Sequence, residues 1–415
     1  MNFENLRKVD ARTYSFTLSP IHVTYANTLR RLILTGVETV SFRSDMTSTG
    51  STTDVVVRKN DTPMTNEMLA DRIGLIPINV TEPLTWNENK YTFTLKVSGN
   101  KDNTTYVKSA DFQVKEKIAT EDEPVTIPAD KFFPSDYITG DTCLIATLQP
   151  GSGPTQQFIE IDAKATKGTG REHARFCPVS QCSYEYTPDS NPQRIEEMFQ
   201  NWLTVAKKAG SIDKGSERYN ELRREFNTMQ IKRCYKLSEK NEPYSFDFTI
   251  ETVGVLSIPY IVERACEVGE NMCSRYVNIH RGELPDEMNI SSADSRLIGF
   301  DFLIRGHDHT LGNLLQTWLV ENNIQGEATP KITYAGYSVP HPLRDEMVLR
   351  IGVEDGEEAT ARLALATAAK GCVEMFQNIR TAWRNAVGAP SLPTNTLTKQ
   401  VRRTRGAIAP SVKLG

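Results

Sequence analysis

Four groups of residues in this 415-residue chain combine types and spacings that could do chemistry. His307 and His309 flank Asp308 just ahead of the apolar Leu311, and a histidine, a carboxylate and a polar partner can form a proton relay. The competing role is structural. Asp308 or Thr310 stands where the start of a helix would be capped, and no nucleophile at matching spacing accompanies them. His173, Cys177 and Cys182 make an H-x3-C-x4-C series that looks like part of a zinc site, but tetrahedral zinc needs four nitrogen or sulfur ligands and the fourth is missing. Cys266 and Cys273 lie two turns apart and share one helix face, which suits core packing better than ligation. Arg30 and Arg31 form an adjacent cationic pair. Two solvated charges are the simple reading, and recognition of carboxylates or backbone across a protein interface is the other. The sequence holds no glycine-rich phosphate loop, nucleophile elbow or aspartate cluster for two catalytic metals. The expectation is a chain with no catalytic, cofactor-binding or metal-ligating residues, inactive as an enzyme by itself.

The elements that must position these residues are two amphipathic helices. In Tyr25–Val40, Ala26, Leu29, Leu32 and Ile33 recur at the spacing of one helix face, with Arg30 and Arg31 on the flank and back. In His309–Asn322, Leu311, Leu314, Leu315, Trp318 and Leu319 form a matching stripe. A helix this short is marginal alone, so each stripe must be buried, and the two are expected to be halves of one intramolecular interface.

Composition sets the frame. Hydrophobic residues at 39% and charged residues at 24% are ordinary for a globular chain of two or three domains. A net charge of -4 and a pI near 6.0 argue against a surface that tracks nucleic acid. No apolar run reaches the roughly 18 to 20 residues that span a bilayer, and the first ten residues have no apolar core for a signal peptide. Seven cysteines without paired spacing suit a reducing compartment. The chain is therefore expected to be soluble and intracellular, without a membrane partner.

Six stretches carry a family resemblance. The first helix, TNEMLADRIGLIPI at 65–78, KGTGREHARF at 167–176 and FDFTIETVGVLSIPYIVERA at 246–265 resemble the alpha-like third-largest subunit of multisubunit RNA polymerases. DHTLGNLL at 308–315, followed by YAGYSVPHPL at 334–343, resembles that subunit's smaller partner. Only 187–240 and the tail lie outside the resemblance. In cellular polymerases the two are separate polypeptides, and their fusion is similar to the arrangement in some large DNA viruses of eukaryotes. A viral source would place the protein in host cytoplasm and virion, a cellular one in the nucleus.

The resemblance implies an α+β chain of two alpha-like dimerisation modules: a first from 1–45 and 168–280, interrupted by a mainly β insert at 46–167, then a linker at 281–297, a second module at 298–387 and a basic, disordered tail at 388–415. Where the family's third-largest subunit often holds zinc or an iron–sulfur cluster, this insert has Cys143 alone, so no metal is expected. The family's Leu-Arg-Arg helix faces the two largest subunits. That implies docking by Arg30 and Arg31, with a second docking loop in Arg171, His173, Arg175 and Phe176, the last standing where a Trp is common. The implied function is a non-catalytic assembly subunit of a DNA-directed RNA polymerase. Its partners would be the two largest subunits and further small ones, with DNA reached only through the complex and no homo-oligomer. The rival is a stand-alone nucleic-acid-binding protein using the basic tail, against which the acidic overall balance speaks.

Overall fold

The computed structural model describes residues 1–45, 54–118, 123–136, 138–293 and 296–388. The loop read at 46–53 and the basic stretch beyond Gly388 lie outside them.

The chain opens with strands β1 (Asn2–Lys8) and β2 (Thr13–Ser19), then helix α1 (Val23–Thr35). His22 caps that helix by accepting the Thr24 amide on its side chain at 3.2 Å, satisfying one of the orphan N–H groups of the first turn. Strand β3 (Glu38–Phe42) then leads into the insert, formed by β4 (Val55–Asn60), α2 (Asn66–Gly74), β5 (Tyr91–Ser98), β6 (Thr105–Lys108), β7 (Phe112–Glu116), β8 (Val125–Ile127), β9 (Leu144–Leu148) and β10 (Phe158–Ala163). Five of its strands form one sheet in the order β4-β10-β5-β7-β8, over a core of its own built on Phe93, Phe112, Phe132 and Phe133. Strand β11 (Ala165–Thr169) returns antiparallel to β3. Gly74 is the last residue of α2, with Leu75 as the cap, and its lack of a side chain leaves room for Arg175, whose nitrogen an added Cβ would meet at 2.6 Å.

Strand β12 (Val179–Tyr186) is followed by a helical hairpin, α3 (Pro192–Val205) and α4 (Glu217–Met229), closed on Phe199, Leu203, Leu222 and Phe226. Strand β13 (Phe246–Thr252) and helix α5 (Ile258–Ser274) complete the first module, whose sheet runs β1-β2-β13-β12.

Here the structure corrects the expected linker. Within 281–297, Met288–Ser292 is a strand, β14, paired antiparallel with β15 (Gly299–Arg305). Its Met288 side chain is buried while Asn289, Ser291 and Ser292 face solvent, and so short a half-polar edge shows little apolar alternation. Helix α6 (His309–Leu319), strands β16 (Tyr334–Ser338) and β17 (Glu346–Gly352) and helix α7 (Glu358–Val387) follow. The second sheet runs β14-β15-β17-β16.

With β14 in place the chain is an internal repeat. Both modules read strand, strand, helix, strand, strand, helix, and both sheets interleave their strands in the same order. Registers match as well. Phe16, Phe248 and Tyr184 lie abreast in the first sheet, as Phe302, Leu349 and Tyr337 do in the second. Counted from those rows, His22 matches Asp308, Asn27 matches Asn313 and Arg30 matches Gln316. The long insert sits between α1 and β12, and the α3–α4 hairpin between β12 and β13. Short connections occupy both places in the second module.

Candidate functional site

The seam between the modules is where the two stripes meet. Ala26, Leu29, Ile33, Leu311, Leu314, Leu315 and Leu319 are fully buried, Leu32 nearly so, and all belong to one hydrophobic core that runs through both modules. Trp318 is half-buried and lies over Gly371 of α7, where a Cβ would be 2.2 Å from the indole. Polar contacts across the crossing obey a pseudo-two-fold. Thr317 Oγ1 donates to Thr24 Oγ1 at 3.1 Å, and Arg31 Nε donates to Thr310 Oγ1 at 2.8 Å. Thr24 matches Thr310 and Arg31 matches Thr317, so position i meets j and j meets i, as in an isologous dimer. Tyr25 adds a 2.5 Å hydrogen bond to Glu321, and burial followed by that contact pushes its hydroxyl pKa well up.

A second pair of helices makes a more extensive seam than the one the sequence singled out. Helices α5 and α7 lie close enough that a Cβ on Gly269 would stand 2.6 Å from the Phe376 ring. Arg380 binds Glu267 at 3.1 Å and Glu270 at 3.2 Å, Arg384 Nε binds Glu263 at 2.9 Å, and Arg362 donates to the Ile279 and Gly282 carbonyls at 2.8 and 2.7 Å. A glycine inside a long helix facing an aromatic elsewhere was the available sequence signal, but nothing in the sequence said which aromatic.

The residues expected to dock the large subunits differ in how their side chains are placed. Arg175 is 2% exposed in its side chain. It donates to the Phe42 carbonyl at 2.9 Å and to His173 Nδ1 at 3.1 Å, while His173 caps the turn that holds it. Phe176 is fully buried, so the expected aromatic anchor is a core residue of the β3–β11 junction. Arg171 reaches across the seam to the Gly306 carbonyl at 2.8 Å and to Asp345. Arg31 holds Asp308 at 3.3 Å besides Thr310. Arg175 and Phe176 are thus buried, whereas Arg171 and Arg31 brace the seam with side chains that remain 42% and 35% exposed. Of the expected set, Arg30 stands apart. Its Nε donates to Asn27 at 3.0 Å, and it lines an open groove of about 610 Å3 beside β12, with Ser183, Tyr184, Tyr186 and Lys232.

The proton-relay reading gives way to capping. Asp308 accepts the Thr310 amide at 2.8 Å and starts α6, and Tyr337 stands beside His309. Cys177 Sγ turns to the Leu34 and Val179 carbonyls, and burial pushes the Cys182 thiol up to about 12. Cys266 and Cys273 are buried in the shared core. Among the described residues no three His, Cys, Asp or Glu side chains converge as metal ligands, and no helix is long and apolar enough to cross a membrane.

His307 packs edge-on to Tyr276 of the first module and borders a cleft of about 390 Å3. Burial first, then Arg171 and Arg275, lower its pKa below the ordinary 6.5, with Asp308 opposing. The unfolded chain thus takes up a proton that the folded chain refuses. The contribution is fully present above about pH 6.5 and is lost as pH falls through that value. Urea unfolding from pH 7.5 to 5.5 should show this decline, and His307→Gln should flatten it. An unchanged slope would remove His307 as its source.

Two family profiles, both described as the RNA polymerase Rpb3/Rpb11 dimerisation domain, match residues 15–273 and 300–382. The human DNA-directed RNA polymerases I and III subunit RPAC1 is 27% identical over 303 residues, covering 65% of this chain and 82% of that protein. DNA-directed RNA polymerase subunit Rpo3 of Methanosphaera stadtmanae is 25% identical over 300 residues, 67% of this chain and 98% of its own length. The Saccharomyces cerevisiae RPAC1 is 25% identical over 307 residues, 64% and 84%.

Proposed function

We propose, from the premise that this chain belongs to the RNA polymerase Rpb3/Rpb11 dimerisation family, that it is a non-catalytic assembly subunit of a multisubunit DNA-directed RNA polymerase. It carries the third-largest alpha-like subunit and its small partner fused on one chain, and presents them to the two largest subunits as a preformed heterodimer. The observation that carries this reading is the single core shared by both modules, from Phe16 to Trp383. Tethering replaces a bimolecular encounter by an effective concentration on the order of millimolar, which fixes the stoichiometry of the pair. The relatives named as polymerase subunits support the complex in which such a platform would work.

The test uses a protease site placed at 283–286, between α5 and β14. After cleavage the two pieces should elute together at micromolar concentration, and the tagged intact chain, co-expressed with the two largest subunits, should retain both. Pieces that separate freely would end the heterodimer reading. An intact chain that retains neither large subunit would end the assembly reading.

A further inference from the structure

The internal repeat exposes a difference between the two sheets. In the second module Gln316 of α6 turns its side-chain oxygen to the edge of the sheet and accepts the Tyr337 amide of β16 at 2.9 Å. The matching residues in the first module are Arg30 of α1 and Tyr184 of β12. Arginine has five donors and no acceptor, so Arg30 cannot close its edge as Gln316 does. The Thr187 amide, one step along, donates at 3.0 Å to Ser245, the residue before β13. Backbone amides alternate along a strand, so those of Tyr186, Tyr184 and Cys182 turn to the open side. Among the described residues β12 pairs with β13 alone. The groove beside this edge is lined by Arg30 and Lys232 against one carboxylate, Glu185.

We infer that the open edge of β12, together with Arg30, is a slot for an extended segment of another polymerase subunit, which adds a strand to the sheet and sets a carboxylate on the Arg30 guanidinium. Main-chain hydrogen bonds to the 182, 184 and 186 amides supply the fit, and the planar fork of Arg30 supplies the choice of an acidic residue. An unpaired edge invites indiscriminate pairing, and a cationic side chain over it restricts which strand is accepted. In the second module the matching central amide, that of Tyr337, is already taken by Gln316, so that edge does not offer the same three donors. The fused pair is therefore directional, with one of its two near-equivalent sheet edges open to a strand. This inference rests on the assembly function proposed above.

The experiment compares the full wild-type chain with Arg30→Gln, each co-expressed with the two largest subunits. Arg30→Gln installs the closure that the second module already has. It should leave thermal unfolding of the isolated chain unchanged while weakening capture by about thirtyfold, the loss expected of an anchoring arginine. Hydrogen exchange of the wild-type 180–187 peptide should be fast in the isolated chain and slowed more than about tenfold in the complex. Wild-type capture with unchanged exchange at 180–187, or an Arg30→Gln chain captured as well as wild type, overturns the slot and leaves the assembly function standing. Wild-type chain that captures neither large subunit overturns the assembly function itself. If Arg30→Gln were to unfold the chain, the exchange measurement on the wild type would still decide.

Discussion

Replacing Trp383 by alanine is expected to lower the unfolding free energy by about 3–5 kcal/mol, and to loosen both modules at once. Trp383 lies near the end of α7, the last helix of the second module, yet its ring is 5.0 Å from Phe3 and 5.3 Å from Phe16, and its indole N–H donates to the Pro259 carbonyl at 3.1 Å. All three partners belong to the first module. The side chain is 1% exposed, so truncation removes an aromatic cluster, opens a cavity and leaves a carbonyl without its donor. Because the core is continuous across the seam, amides of α1 and α6 should speed their exchange by the same factor. Faster exchange confined to α6 and α7 would mean that the modules are stabilised separately.

That α7 straps the first module was not legible in the sequence, although its periodicity was. Apolar spacing along α1 and α6 marks which face is buried, because 3.6-residue geometry is local. Which surface covers that face is a long-range matter. Helices α1 and α6 are in contact, but the more extensive contact joins α5 to α7. The same distinction explains the docking loop. The sequence KGTGREHARF marks Arg175 and Phe176 as special, and both have demanding environments, but their partners are Phe42, Ser44 and Thr39, more than a hundred residues away. A conspicuous charged residue is as readily a buried strut as a surface anchor, and only the fold separates the two.

The missed strand β14 has a different cause. Its sequence MNISS puts one buried methionine and one half-buried isoleucine among polar residues, as expected of a short edge strand with one wet face. Its absence from the sequence reading also hid the repeat, since without it the two modules have unequal strand counts. Arg30 against Gln316 becomes informative only once register makes the two equivalent.

The other large effect is expected at the α5–α7 seam, where Phe376→Ala should cost about 3–5 kcal/mol. Phe376 is fully buried and its ring fills the space that a side chain on Gly269 would occupy. Gly269→Leu alone should also destabilise, by about 1–3 kcal/mol or more, since the ring cannot move aside in a close-packed core. The double variant is the informative one. With the ring gone, the leucine enters the cavity from the opposite helix, and leucine is also the better helix former by somewhat under 1 kcal/mol. Phe376→Ala with Gly269→Leu should therefore be more stable than Phe376→Ala alone, so that a substitution harmful in the wild-type background becomes helpful in the other. Chemical denaturation of the four proteins closes the cycle, and the coupling should exceed about 1 kcal/mol. Additive losses would show that Gly269 and Phe376 do not meet, and would place the two helices further apart than a shared core allows.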